Sequence, residues 1–300
     1  MSNLLEKFNN LLGLIQESLS DCLDCDGNFP KPGRKPKFTD SEVIALSLLA
    51  ELLMMTSENY FFYLLNKRYK ADFPNLIDRS AYNRRRRNLS WATDSARQYF
   101  AKHLTESETT FIIDSMPIAI CKFSRAKRIK ICKEQWETAP SFGRCPAQKM
   151  TFLGYKLHSV ASQAGVITSY DLSKAETADI HYLQDIKHLY PGCLLLADRA
   201  YLSHKMQLDL FDDNRLILKT PMRRNQKNYM KQPAVFRKVR KRIETNFSQL
   251  VDQFSIQKNY AKSFSGFSTR IIAKITAFTV SQYINFINNK RLGHIKTAFI

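Results

Sequence analysis

The sequence predicts an α/β domain that follows an α-helical N-terminal region. The 300-residue chain is 44% hydrophobic and 12% aromatic, so it can bury a core and is neither disordered, collagen-like nor coiled-coil. Helix signals are concentrated in the first third of the chain, whereas short β-rich runs begin at Thr109. We therefore expect residues 1–103 to form a helical domain. Residues 104–300 are expected to form a mixed sheet flanked by helices, including a C-terminal helix.

The N-terminal region contains three predicted helices. Residues 30–37 are rich in proline and basic residues, which indicates an extended arm. Thr39-Asp-Ser-Glu42 has the spelling of a capping box and precedes an apolar run, so a helix is predicted from Thr39. Two more helices are expected, over residues 59–69 and from Ser80 onward.

The third predicted helix carries four consecutive arginines, Arg84, Arg85, Arg86 and Arg87. Several helices with an arginine cluster on the third resemble a helix-turn-helix arrangement, in which one helix enters the major groove of DNA. A plain helical scaffold whose arginines contact only phosphates is the alternative. Both interpretations make this region a DNA-binding domain.

The second region alternates strands and helices in the predicted order β-β-β-α-β-α-β-α. A first strand, 110–113, ends at Asp114, and a turn at Gly165 joins the next two. The apolar run 193–197 ends at Asp198 and is typical of a buried central strand. The other elements are strands over 155–162, 166–172 and 215–219 and helices over 177–189, 203–212 and 236–254. An apolar stripe over 271–287 indicates core or a dimer contact.

The chain is strongly basic, with 46 Lys and Arg against 27 Asp and Glu and a net charge of +19. Residues 219–242 contain ten basic residues and no acidic one, and amide and aromatic residues lie among them. Such a block favours a nucleic-acid partner, and a solvated linker is the alternative. The predicted DNA contacts from this block are Arg223, Arg224, Arg237, Lys238, Arg240 and Lys241.

The sequence also indicates the compartment. No stretch approaches the roughly 18 apolar residues of a membrane span, and the first 15 residues lack the features of a signal peptide. The six cysteines are scattered, which suits a reducing compartment. Cys22 and Cys25 have the spacing of zinc ligands but lack a second pair, so no zinc site is predicted. We expect a cytoplasmic protein without membrane contact.

Three carboxylates are the candidate site. Asp114 and Asp198 each follow a strand, and strand ends converge on one edge of a sheet. Glu244 borders the apolar stripe of the predicted helix 236–254 and is the one acidic residue between Asp213 and Asp252. A carboxylate within a basic surface suits phosphate binding when a divalent cation lies between them. The alternative is that the three residues are caps, turn residues and a surface ion pair.

The short sequence motifs around these acids resemble those of the ribonuclease-H-like DDE transposases of bacterial insertion sequences. They are Phe-Ile-Ile-Asp114-Ser-Met-Pro-Ile, Gly-Tyr-Lys-Leu-His158, Leu-Ala-Asp198-Arg-Ala-Tyr and Arg-Lys-Arg-Ile-Glu244-Thr-Asn-Phe. Over nearly the whole chain, the sequence is most similar to the insertion-sequence 982 family. Related families have a Tyr and a Lys near the third acid where this chain has Arg237 and Val251, so the roles of those two residues are not carried over.

The resemblance implies a transposase that binds the terminal inverted repeats of an element, cleaves DNA and joins it to target DNA. Asp114, Asp198 and Glu244 would hold Mg²⁺, with Mn²⁺ as a substitute, as two ions. Arg240 and Lys156 would bind phosphate, and Arg199 and Tyr201 would contact the nucleotide at the scissile bond. His158 would either orient water or be a core histidine. A homodimer near the nucleoid is expected.

Three other functions stay open. An inactive or domesticated descendant would bind DNA as a regulator, and a nuclease of the same fold would cut without joining. An RNA-binding protein would present stacking aromatics on an exposed sheet, whereas the strands predicted here look buried.

Overall fold

A computed structural model describes residues 4–146, 149–226 and 229–298. The chain divides into two compact units. The helical unit takes the residues up to Leu104 together with those from Leu250 onward, and the sheet unit is Thr105–Gln249. Residues 250–298 therefore group with the N-terminal helices, whereas the sequence predicted a domain of residues 104–300.

The helices and strands follow the chain in this order. The helices are α1 (Leu4–Ser18), α2 (Asp40–Leu52), α3 (Glu58–Arg68), α4 (Arg79–Asn88), α5 (Ser90–Thr105), α6 (Tyr182–Asp185), α7 (His204–Asn214), α8 (Ala234–Phe254) and α9 (Phe264–Ile287). The strands are β1 (Thr110–Ala119), β2 (Ser141–Cys145), β3 (Met150–Ser162), β4 (Ile167–Lys174), β5 (Leu194–Leu196) and β6 (Ile217–Lys219).

Helix α2 lies at the centre of the helical unit. Its predicted start is confirmed, because Thr39 accepts a hydrogen bond from the Glu42 amide while the Glu42 side chain accepts one from the Thr39 amide. The helix is buried on nearly all sides, with α1, α4 and α9 packed around it. Contact with α9 is why the C-terminal residues belong to this unit.

A network of buried charges ties α2, α3, α4 and α9 together. Arg86 is 5% exposed and bonds to Glu51 at 2.9 Å and to Glu58 at 3.1 Å. Lys274 bonds to the other oxygen of Glu51, and Arg270 lies 2.8 Å from Glu58. Removing one partner would leave a buried charge uncompensated, so this network fixes how the four helices meet.

The sheet unit contains one mixed sheet in the order β2-β3-β1-β5-β6. Strand β3 pairs antiparallel with β1 on one edge, and with β2 and then β4 on the other. Strands β1, β5 and β6 are parallel. The predicted central strand at 193–197 is confirmed as β5. Strand β1 does not end at Asp114 as predicted, because its pairing with β3 continues to Ala119.

The two faces of the sheet bury different side chains. Ile112 packs with Ala161 and with Ile243 of α8 on one face. On the other face, Phe111 and Ile113 belong to a larger cluster with α6 and α7. The predicted helix 177–189 is reduced to a 3₁₀ turn and the short α6. Packing overrides helical propensity there, since Tyr182 and Tyr190 are buried and bond to β4 through their hydroxyls.

Gly154 of β3 is needed where β1 passes closest. A Cβ at this position would lie 2.1 Å from the carbonyl oxygen of Ile118, which belongs to the paired strand and cannot move alone. We expect Gly154→Ala to lower the free energy of unfolding by about 2–3 kcal/mol, measured by urea denaturation with circular dichroism.

Gly13 is the matched control, because it is an exposed position of α1 with nothing within 4 Å of its added Cβ. Gly13→Ala is expected to stabilise the protein by about 0.5–1 kcal/mol. Equal effects of the two substitutions would show that the approach of Ile118 does not constrain residue 154.

A candidate active site where strand β5 ends

The register of two parallel strands brings Asp114 and Asp198 together. The last registered pair of β1 and β5 is Ile112 with Leu196, and each aspartate lies two residues beyond its member of that pair. Strand β1 continues at this point, whereas β5 ends and the chain turns into the 3₁₀ segment Arg199–Tyr201. Asp198 caps that segment by accepting a hydrogen bond from the Ala200 amide at 2.7 Å.

Asp114 is the carboxylate most altered by its surroundings. Its pKa is raised to about 7, mainly by burial and also by the nearby charge of Asp198. A hydrogen bond from the Ser115 amide and the charge of Arg240 act in the opposite direction. The negative charges of Asp114 and Asp198 repel each other, so a bound cation would stabilise the pair.

Helix α8 places a basic side chain, that of Arg240, beside the two aspartates. Val239 and Ile243 bury its apolar side against the face of the sheet that carries Ile112. Side chains alternate along a strand, so Asp114 lies on the same face, next to Arg240. The Nε of Arg240 is buried, and no residue in the described part of the chain accepts a hydrogen bond from it.

Glu244 follows Arg240 by one turn of α8, and its side chain is exposed. Among the residues that the structure describes, no group of three or more His, Cys, Asp or Glu side chains is arranged to hold a metal ion. The structure thus brings Asp114 and Asp198 together without assembling the third predicted acid with them.

Tyr201 is not available to a nucleotide, which corrects the sequence prediction. Its ring is fully buried in the core cluster, together with Leu195 and Leu210. Its hydroxyl has no hydrogen-bond partner among the described residues. Its pKa is raised well above the usual value by burial and by the charges of Asp179, Asp114 and Asp198. The motif placed Tyr201 near the acids, but the aromatic ring is part of the core.

Sequence reasoning missed Asp179, which forms a second polar cluster beside the site. Its carboxylate accepts hydrogen bonds from Ser115 Oγ at 2.9 Å and from Lys156 Nζ at 3.1 Å. Lys156, predicted to bind phosphate, is therefore held by an internal acid and by the carbonyl of Thr177. The sequence signal for Asp179 was weak, since it lies in a segment predicted to be plain helix.

His158 is a buried residue of the same cluster. It is 1% exposed, and its Nε2 lies 2.7 Å from Ser173 Oγ, while its Nδ1 is 3.9 Å from Asp179. Burial lowers its pKa to about 4, against the opposing charge of Asp179. The sequence left open whether His158 orients water or is a core histidine, and this buried environment fits the core histidine.

The four arginines of α4 have different surroundings. Arg86 is an internal residue of the charge network, and Arg85 bonds to Asp40 at 2.6 Å and to the carbonyl of Phe38. These two side chains are therefore held within the protein, which the prediction of DNA contacts did not anticipate. Arg84 is exposed and Arg87 is half-buried.

The other predicted DNA contacts are on the surface of the sheet unit. Arg199 is exposed directly after Asp198. Five of the contacts predicted from the basic block and α8 are exposed: Arg223, Arg224, Arg237, Lys238 and Lys241. Most residues predicted to meet phosphate are thus accessible to it, while Arg85, Arg86, Lys156 and Tyr201 are engaged within the protein.

Comparison with protein families identifies this architecture. Residues 105–280 match the model of the transposase DDE domain. The match spans more than half of the chain, so the protein belongs to the family of transposases with a DDE domain. Comparisons with curated proteins and with solved structures gave no match.

In residues 4–146, 149–226 and 229–298, no helix has both the length and the apolar character needed to cross a bilayer.

The burial of His158 predicts a pH-dependent stability. The imidazole stays neutral in the folded state down to about pH 4, whereas in the unfolded chain it binds a proton below about pH 6.5. Stability from this group is therefore present above pH 6.5 and is lost as the pH falls. We expect the His158 contribution to fall by about 2 kcal/mol between pH 7.5 and pH 5. Because the raised pKa of Asp114 acts in the opposite direction, the contribution is measured by urea unfolding as a difference between wild type and a variant without the imidazole.

His158→Gln is the comparison that isolates this group, since glutamine keeps a polar atom for Ser173 and does not titrate. The variant is expected to lose about 2 kcal/mol less than the wild type over the same pH interval. Parallel curves for the two proteins would mean that His158 is protonated equally in both states.

Proposed function

We propose that the protein cleaves DNA at the ends of a mobile element and joins the released 3′ end to target DNA, with divalent metal ions held at Asp114 and Asp198. The observation that carries this proposal is the juxtaposition of the two aspartates by the β1–β5 register, inside a DDE transposase domain. The finer assignment to the insertion-sequence 982 family rests on the sequence motifs.

The donor chemistry of the pair suits Mg²⁺, with Mn²⁺ as a substitute. Both ligands are carboxylate oxygens, and the raised pKa of Asp114 reflects burial beside a like charge that a cation would offset. When bound, such ions activate the attacking oxygen and stabilise the leaving one in phosphodiester cleavage. Two ions are proposed, because in-line displacement has both an entering and a leaving oxygen.

The chain's own residues would position the DNA. Arg240 lies next to Asp114 and has a buried Nε without a partner, so it can donate to a phosphate oxygen at this point. Arg199, exposed beside Asp198, can contact the same strand.

We propose Glu244 as the third metal ligand, because it lies one helical turn after Arg240, which is next to Asp114. Its exposed side chain can turn toward the pair when a cation and DNA are present. Asp179 is the other acid whose charge acts on Asp114, but its hydrogen bonds to Ser115 and Lys156 occupy it.

The chemistry is tested with labelled duplexes that carry the ends of the element encoding this protein. Wild type is expected to nick and join them with Mg²⁺ or Mn²⁺ and not with EDTA. Asp198→Asn keeps the size of the side chain and removes its charge, so cleavage should fall at least about 100-fold while DNA binding persists. Glu244→Gln should give a similar loss.

Asp212→Asn is the matched control, because Asp212 is an exposed acid on α7 of the same unit. The Asp212→Asn variant should cleave DNA at the wild-type rate. If wild type and Asp198→Asn bind the ends equally and neither cuts with any metal, the protein is a DNA-binding regulator. Cutting without joining would assign it as a nuclease of this fold.

DNA is the proposed partner, as terminal repeats and as target. A homodimer follows from the need to hold two element ends, and a cytoplasmic location at the nucleoid follows from the partner. The net charge of +19 supports association with a polyanion.

A further inference from the structure

The helical unit contains a polar cleft that the catalytic proposal does not use. It is formed by the start of α3, one side of α4, and the loop and first turns of α9, and its volume is about 820 Å³. Its cationic lining residues are Arg79, Arg86, Arg87, Lys262 and Arg270, and its single acid is Glu58. We propose that this cleft binds the sugar-phosphate backbone of DNA.

Some charged side chains of the cleft are in ion pairs, and others are not. Glu58 is bonded to Arg86 and Arg270 in the buried network, so its charge is already balanced. Arg79, Arg87 and Lys262 form no ion pair with any residue that the structure describes. Three unpaired cations around a concave surface focus a positive potential there, which attracts an anion.

Two helices also begin at the cleft. Ser57 caps α3 and Ser263 caps α9, and both residues line it. The amino ends of the helix dipoles add positive potential to that of the side chains. The bonded Arg86 and Arg270 form a fixed wall, so the cleft exists before a ligand arrives.

The composition of the cleft favours a nucleic-acid strand over a small metabolite. Small-molecule pockets are mostly apolar, whereas this cleft is lined mainly by charged and hydroxyl or amide side chains. Its volume exceeds what a single phosphate needs. Its unpaired cations lie at both ends of α4, at Arg79 and Arg87, and in the loop before α9, at Lys262, so they can contact successive phosphates. Tyr260 is 66% exposed at the cleft and offers a surface for a sugar or base.

The inference rests on the proposed function, because DNA is the polyanion that function supplies. It adds a contact made by residues 260–270, which the sequence had assigned to the catalytic domain, together with α4. The cleft belongs wholly to the helical unit. Its test is therefore a binding measurement without metal, separate from cleavage.

The experiment compares two double variants of the full chain by fluorescence anisotropy with a duplex of random sequence in EDTA. Arg79→Gln with Lys262→Gln removes two exposed cations of the cleft. Arg68→Gln with Lys102→Gln removes two exposed cations of the same unit outside it. None of the four side chains forms an ion pair with a residue that the structure describes, so thermal unfolding should be unchanged in both.

The cleft variant is expected to reduce the slope of log K against log salt by about 1.8, which corresponds to two lost phosphate contacts, and to bind about tenfold more weakly at physiological salt. The outside variant should keep the wild-type slope. Lys262→Gln alone should reduce the slope by about 0.9 and serves if the double variant does not fold.

Equal slopes in wild type and the cleft variant overturn the proposal, and so do equal reductions in the two double variants. If inorganic phosphate raises the melting temperature of wild type but not of the cleft variant while the slopes agree, the cleft is a small-anion site and not a DNA site. A chain that fails to cleave but shows the slope difference would keep the cleft and refute the catalytic proposal.

Discussion

The parallel register of β1 and β5 is the constraint on which the candidate site depends. It sets Asp114 and Asp198 at equivalent positions beyond the Ile112–Leu196 pair, where one strand continues and the other ends. A shift of one residue would turn one carboxylate to the opposite face. The apolar contacts that hold this register, Ile112 on one face and Phe111 and Ile113 on the other, therefore support the site as well as the fold.

The distribution of charge separates structural cations from those available to a ligand. Arg85, Arg86, Lys156 and Lys274 are each bonded to an internal acid. By contrast, Arg223 and Arg224 of the basic block and Arg79 and Lys262 of the cleft are exposed. Arg240 is half-buried and lies beside Asp114. A basic sequence block alone does not make this distinction, since pairing with distant acids decides which cations remain free.

Local signals in the sequence predicted the elements that local physics determines. The capping box at Thr39, the turn at Gly165 and the apolar run at 193–197 all depend on residues next to one another, and each element was found. The burial of Arg86, the bond from Lys274 to Glu51, 223 residues away, and the role of Asp179 depend on tertiary contacts that spacing does not encode. The pair Asp114 and Asp198 was predictable because strand order fixes it.

The most direct test of the central claim is a crystal structure grown with Mn²⁺ and analysed by anomalous scattering. The account predicts an anomalous peak within coordination distance, about 2.0–2.2 Å, of carboxylate oxygens of both Asp114 and Asp198, with Glu244 turned toward it. Peaks bound by other residues, with the two aspartates free of metal, would contradict it. In that case the β1–β5 register would be a feature of the fold and not of catalysis.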